Sequence, residues 1–255
     1  MIARETFVMN RTLTRFFRPG ARGLVALAWA TTLAGLSGCG VWQTLSVHDD
    51  EASSVAVRAA LRPAAWARSD RPGPGFELGF ERYRARDARS LGAGESLTLG
   101  NQTVTGPDVL AQSATVQQVQ LVYTHPLYFG EFFELEPFGG ITQVGVRCRA
   151  EPTQSALRPE QKATRTTLVG GLTPRVRLNE WLALEARFNF IPLLDSDVYG
   201  RSIEVAGVLK PVPQLAFRLG YAQRRMGVDY NANNSGWTQL DVRANGPFAT
   251  VQLEF

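Results

Sequence analysis

"LALEARFNFIP", residues 182–192, alternates without a break. Leu182, Leu184, Ala186, Phe188 and Phe190 form one row; Ala183, Glu185, Arg187, Asn189 and Ile191 form the other. A period of two puts successive side chains on opposite faces of a β-strand, so this strand has an apolar face and a charged or small one. The same holds for "TLVGGLTPRVRL" (167–178), where Leu168, Leu172, Val176 and Leu178 oppose Thr167, Thr173, Arg175 and Arg177. In 202–210, Ile203, Val205, Gly207 and Leu209 alternate with Ser202, Glu204, Ala206, Val208 and Lys210. Such runs exceed the usual globular strand of about five or six residues. They reach the roughly nine to eleven that a tilted strand needs to cross a bilayer.

Working outward, the alternation predicts eight strands, near 75–84, 116–127, 134–148, 165–178, 181–192, 201–211, 214–225 and 236–255. The connections alternate between long (85–115, 149–164) or moderate (193–200, 226–235) and short (128–133, 179–180, 212–213). Outer-membrane barrels show this asymmetry, with long loops outside and tight turns in the periplasm. It would put both chain ends on the turn side. The chain ends "VQLEF", with Val251, Leu253 and Phe255 on one parity. This resembles the terminal signal by which outer-membrane barrels are recognised for assembly. Within the last strand "NGP" (245–247) changes the parity of the apolar row, which predicts a β-bulge in preference to a hairpin at Asn245-Gly246. The pattern as a whole resembles the small, eight-stranded, OmpA-like outer-membrane barrels. The resemblance implies an all-β, antiparallel, up-and-down transmembrane β-barrel over 75–255, with barrel-assembly machinery as a partner in biogenesis.

In a barrel of this size side chains fill the lumen. By parity Glu77, Glu81, Arg147, Arg175, Arg177, Glu185, Arg187, Glu204, Lys210, Arg218 and Glu254 point inward, and their mixed signs predict a salt-bridge network that plugs it. Arg82, Arg84, Arg86, Arg89, Arg147, Arg149, Arg165, Arg201, Arg224 and Arg225 gather toward the loop end. Arginine pairs well with phosphate, so a rim contacting outer-membrane lipid and lipopolysaccharide is expected. Trp181 and Trp237 fall near opposite strand ends, as interfacial aromatics do.

The beginning of the chain has another character. Arg4, Arg11, Arg15, Arg18 and Arg22 precede an apolar run, Gly23–Leu36, too short to span a bilayer but suited to the core of a signal peptide. Met9 is an equally good start, so no meaning attaches to residues 1–8, Arg4 included. Leu36-Ser37-Gly38-Cys39 follows and resembles the lipobox of bacterial lipoproteins. The resemblance implies cleavage after Gly38 and a lipid on the Cys39 thiol. Gly40, where an aspartate would favour retention at the inner membrane, permits delivery to the outer membrane. Removing residues 1–38 takes five arginines and one glutamate from 27 basic and 23 acidic residues, leaving 22 of each. The formal charge of +4 is therefore no sign of nucleic-acid binding. Cys148 is the only other cysteine, so a lipidated Cys39 excludes an internal disulfide. Residues 39–74 read as a tether. Ala52, Val55, Ala56, Ala59 and Ala60 recur at helical spacing behind Asp49-Asp50-Glu51, which predicts a short helix ended by Pro63.

Little in the sequence points to catalysis. Lipid A deacylases of similar size resemble one another in a His-x-Ser pair on a strand, but His125 is followed by Pro126 and Leu127. His48 is the only other histidine, so serine-based or zinc chemistry is poorly supported. No enzyme activity, cofactor or metal is expected. Asp195-Ser196-Asp197 reads as turn residues before it reads as a cation site. Cys148 reads as a small apolar residue on the outward face. The leading expectation is an outer-membrane barrel lipoprotein with a structural or envelope-interaction role. A narrow channel is one alternative; a periplasm-facing, lipocalin-like ligand-binding barrel is the other.

Overall fold

The computed structural model describes residues 43–63, 66, 71–192, 198–231 and 237–255. The signal segment, Cys39 and Asp195-Ser196-Asp197 lie outside the described residues. The described chain is almost entirely β: β1 (Gln43–Asp49), β2 (Ser54–Leu61), β3 (Gly75–Leu91), β4 (Ser96–Leu99), β5 (Gln102–Thr105), β6 (Asp108–Thr124), β7 (Leu127–Phe129), β8 (Phe133–Pro152), β9 (Glu160–Arg177), β10 (Leu182–Ile191), β11 (Val198–Val212), β12 (Leu215–Asn231) and β13 (Trp237–Glu254). None of its helices is long and apolar enough to cross a membrane.

Nine strands, not eight, close a barrel in the order β2-β3-β6-β8-β9-β10-β11-β12-β13. Neighbours run antiparallel until the seam, where β13 pairs with β2 in parallel. An odd number of up-and-down strands leaves the first and last pointing the same way, so the seam has to be parallel. The ninth strand comes from the predicted tether. In β2, Ala56, Arg58 and Ala60 face inward and Val55, Val57 and Leu61 outward, and no helix forms. Ala52, Ala56 and Ala60, spaced four apart, satisfy a period of two as well as a helical one. The free edges of β3 and β13 decide the matter, because an unpaired strand edge leaves a row of backbone donors and acceptors unsatisfied.

β1 occupies the upper part of the same seat. It runs from Gln43↔Thr238 to Asp49↔Ala244, and β2 resumes at Ser54↔Phe248. The N-terminal segment therefore holds one more residue than β13 over this stretch. Between β1 and β3 side chains close the seam: the Asp49 carboxylate accepts the Arg86 N–H at 2.9 Å and the Asp87 carboxylate the His48 N–H at 3.3 Å. The bulge expected at 245–247 is absent from the β12–β13 ladder, which keeps one register from Leu215↔Leu253 to Asn231↔Trp237. Even-numbered residues of β13 face inward throughout. What changes near Gly246 is the chemistry of the two faces.

The tight connections at 178–181 and 213–214 and the terminal Phe255 mark one end, called the turn end. The segments 92–107 and 153–159 mark the loop end. Gln43, paired with the start of β13, enters the barrel at the loop end. The two ends of the barrel chain thus lie on opposite sides, not together on the turn side as expected from eight strands.

Most strands run past their predicted limits toward the loop end. There the barrel is filled by an apolar core that includes Leu45, Leu110, Val116, Val146, Val198 and Val228. The β4–β5 hairpin adds Leu97, Leu99 and Val104 to it. At the tip of this hairpin Gly100 has φ +59°, and a Cβ there would stand 2.7 Å from the Glu160 carbonyl oxygen. Glycine allows both the left-handed turn and the close approach.

Candidate functional site

The barrel inverts along its length. In the turn-end half the outer wall is apolar: Phe76, Leu78 and Phe80 on β3, Val119 and Leu121 on β6, Val205 and Leu209 on β11, Leu219 and Tyr221 on β12. Inside that half lie charges, almost all paired. Arg58 reaches Glu204 at 3.1 Å and Glu77 at 3.9 Å; Arg187 holds Glu77 at 2.9 Å and sits 4.2 Å above the Phe138 ring. Arg224 bonds Glu81 and, at 3.4 Å, Glu204. Arg175 bridges Glu134 (3.1 Å) and Glu185 (2.8 Å), and Arg218 also pairs with Glu185. Toward the turn end come Arg177–Glu134 at 2.8 Å, Arg62–Glu136 at 2.6 Å and Lys210–Glu254 at 2.8 Å. Eight cations thus face seven carboxylates. Several pairs join strands that are not neighbours, β2 with β11 and β10 with β3, so they tie the lumen across its width.

Of the residues expected in the lumen, Glu77, Glu81, Arg175, Arg177, Glu185, Arg187, Glu204, Lys210, Arg218 and Glu254 are brought together. Arg147 is not: it stands on the outer wall, 3.5 Å from Glu160. Cys148, expected outside, is buried in the loop-end core. Both corrections have one cause. Charged-in, apolar-out assignment holds only in the turn-end half, and β8 crosses into the other half near Gln143. Sequence reading missed Arg58, Arg62, Glu134, Glu136 and Arg224. Glu134 and Glu136 share the parity of buried Phe138, and Arg224 that of Arg218 and Ala222, so alternation alone was enough to find these three.

The expected arginine rim is a collar partway along the strands. Arg82, Arg84, Arg86, Arg149, Arg201 and Arg225 stand on the outer wall, and Arg89 is exposed near the end of β3. Arg165 is half-buried on the inward row of β9, and Arg224 is inside. Cross-strand registers fix the level of the collar. Leu78, Leu121, Ile141 and Leu168 form one outward rung across β3, β6, β8 and β9. Phe80, Val119, Gln143 and Thr166 form the next; then come Arg82, Gln117, Gly145 and Thr164, and beyond them Arg84, Thr115, Arg147 and Lys162. The wall passes from hydrocarbon to cation within three rungs. At the far edge Glu160 accepts hydrogen bonds from Lys162 and Arg149, which hold its carboxyl down to about 2.

No family model, curated protein or solved structure matches this chain. The reading of the molecule therefore stands on its own geometry. His48 lies outward on β1 beside Asp50, and His125 is exposed at the turn end with its Nδ1 3.2 Å from the Tyr123 hydroxyl. Trp181 is exposed at that end too. Trp237 begins β13.

Proposed function

We propose that this chain is an outer-membrane β-barrel lipoprotein with a structural or envelope-interaction role, its turn-end half crossing the bilayer. The observation that carries the reading is the inversion: an apolar outer wall surrounds paired charges in one half, and a polar, basic outer wall surrounds an apolar core in the other. Leu219, Val55 and Val205 are 65%, 63% and 58% exposed, a degree of apolar exposure that belongs against lipid and not water. A lipocalin-like barrel would keep its apolar row inside along the whole strand, and the turn-end half does the reverse. The channel reading is disfavoured by a lumen filled with ion pairs, followed by an apolar core and the β4–β5 hairpin. Phe255, Val251 and Leu253 lie on the lipid side of β13, where barrel-assembly machinery would read them.

Lipidation at Cys39 is part of the proposal. The test is expression of the full chain in a Gram-negative cell. Outer-membrane fractionation, heat-modifiable gel migration, and palmitate labelling lost in Cys39→Ser are expected, with no conductance in planar bilayers. A soluble periplasmic protein with heat-independent migration would refute the membrane reading; steady single-channel currents would refute the closed lumen.

A further inference from the structure

Two basic grooves lie on the outer wall beyond the apolar band, and they differ. In the one across β11, β12 and β13, Asp241 holds Arg225 at 2.9 Å and lies 3.6 Å from Arg243, so two cations are already partnered. The other crosses β3, β6, β8 and β9 and has a volume of about 280 Å³. Arg82 and Arg84 form one bank; Arg147, Arg149 and Lys162 form the other. β6 is the floor between them, with Ser113, Thr115 and Gln117, which are uncharged and hydrogen-bonding. Among the described residues Glu160, at the outer edge, is the one carboxylate that pairs with these five cations: it reaches Arg147, Arg149 and Lys162 and leaves the Arg82–Arg84 bank without a counter-charge. Arg82 and Arg84 have no ion pair among the described residues, and Arg84 reaches only the Ser113 hydroxyl, at 3.4 Å.

The banks are two strands apart, roughly 10 Å, which is room for a phosphate with a guanidinium on each side. The level matters as much as the charge. Phe80 and Val119, at the top of the apolar band, are one rung below Arg82 and Gln117, and rungs on one face repeat about every 6.6 Å. A lipid whose acyl chains lie along Leu78, Leu121 and Ile141 brings its phosphate to this groove.

We infer that the groove between Arg82–Arg84 and Arg147–Arg149 binds the phosphate-bearing headgroup of a membrane lipid in the leaflet at the loop end. The inference rests on the membrane reading above. Arginine suits the task because its planar fork binds two phosphate oxygens at once. The lipid completes a cluster of five cations that a single carboxylate, Glu160, compensates only in part.

The experiment uses the full chain in phosphatidylcholine vesicles, in the same vesicles doped with phosphatidic acid, and in plain vesicles with inorganic phosphate in the buffer. Two quantities are read: phosphatidic acid retained per protein after detergent extraction, and the temperature at which the folded gel band is lost. Phosphatidic acid should raise that temperature and inorganic phosphate should not. Arg84→Gln with Arg147→Gln should lower retention about tenfold and abolish the rise, whereas Arg201→Gln with Arg243→Gln should keep both. Glu160→Gln should increase retention. Unchanged retention in the groove variant, equal losses in both double variants, or an equal rise with inorganic phosphate each overturns the site. A chain that does not float with vesicles refutes the membrane reading and the site with it. A chain that floats, migrates heat-modifiably and ignores phosphatidic acid refutes the site alone.

Discussion

Glu204 lies between two guanidinium groups, Arg58 at 3.1 Å and Arg224 at 3.4 Å, and is 1% exposed. A buried carboxylate is tolerated only when its charge and its lone pairs are answered, and breaking such a pair leaves the partner uncompensated. Glu204→Gln should therefore destabilise the folded barrel by about 3 kcal/mol in urea unfolding, because Arg58 loses its nearer carboxylate, keeping only Glu77 at 3.9 Å, and Arg224 keeps only Glu81. A comparable truncation on the wall, Arg201→Gln, should stay within about 0.5 kcal/mol. Cys148 sits beyond the apolar band inside an apolar core, and burial pushes its thiol up to about 12. In a Cys39→Ser chain it should resist maleimide at neutral pH while folded and react on unfolding. Glu160 gives a prediction of pH dependence. Its pKa is depressed from 4.5, so its pairing contributes fully above that value and is lost only as pH falls toward about 2. Glu160→Gln should lower the melting temperature at pH 6 and lower it much less at pH 2.

At the scale of the element, β10 was legible almost to the residue: alternation placed a strand at 181–192 and one stands at Leu182–Ile191. It lies wholly within or near the turn-end half, where one rule assigns both faces. β3 and β6 were cut short because their outer parts reverse the rule, with Arg82, Arg84 and Arg86 outside and Tyr83 and Ala85 inside. The β4–β5 hairpin was hidden in what read as a loop. β2 was missed for a different reason: its alanines fit two periods, and only the edges of β3 and β13 choose between them. Ala56 is paired on both sides, with Glu81 and Thr250. Ala56→Pro should therefore cost about 3 kcal/mol or more and abolish the heat-modifiable form; in a loose tether the same change would be silent.

The whole molecule is best tested where its outer wall changes from apolar to polar. Leu168 and Thr166 are successive outward residues of β9, one in the apolar band and one above it. Leu168→Arg should cost about 2–4 kcal/mol of folding into bilayers, as a charge on a lipid-facing strand does, and Thr166→Arg close to nothing. Equal tolerance of both would mean that the band does not face lipid. The alternation in 167–178, 182–192 and 202–210 was by itself enough to determine an all-β barrel with two unlike faces, and the charges available to its lumen. That is local information: period two needs only neighbours in the chain. Strand number, the parallel seam, the opposite placement of the two barrel ends and the level at which inside and outside exchange character were decided by tertiary structure. Each depends on which distant edge a strand meets, and on pairs such as Arg58–Glu204 that are 146 residues apart and become adjacent only when the barrel closes.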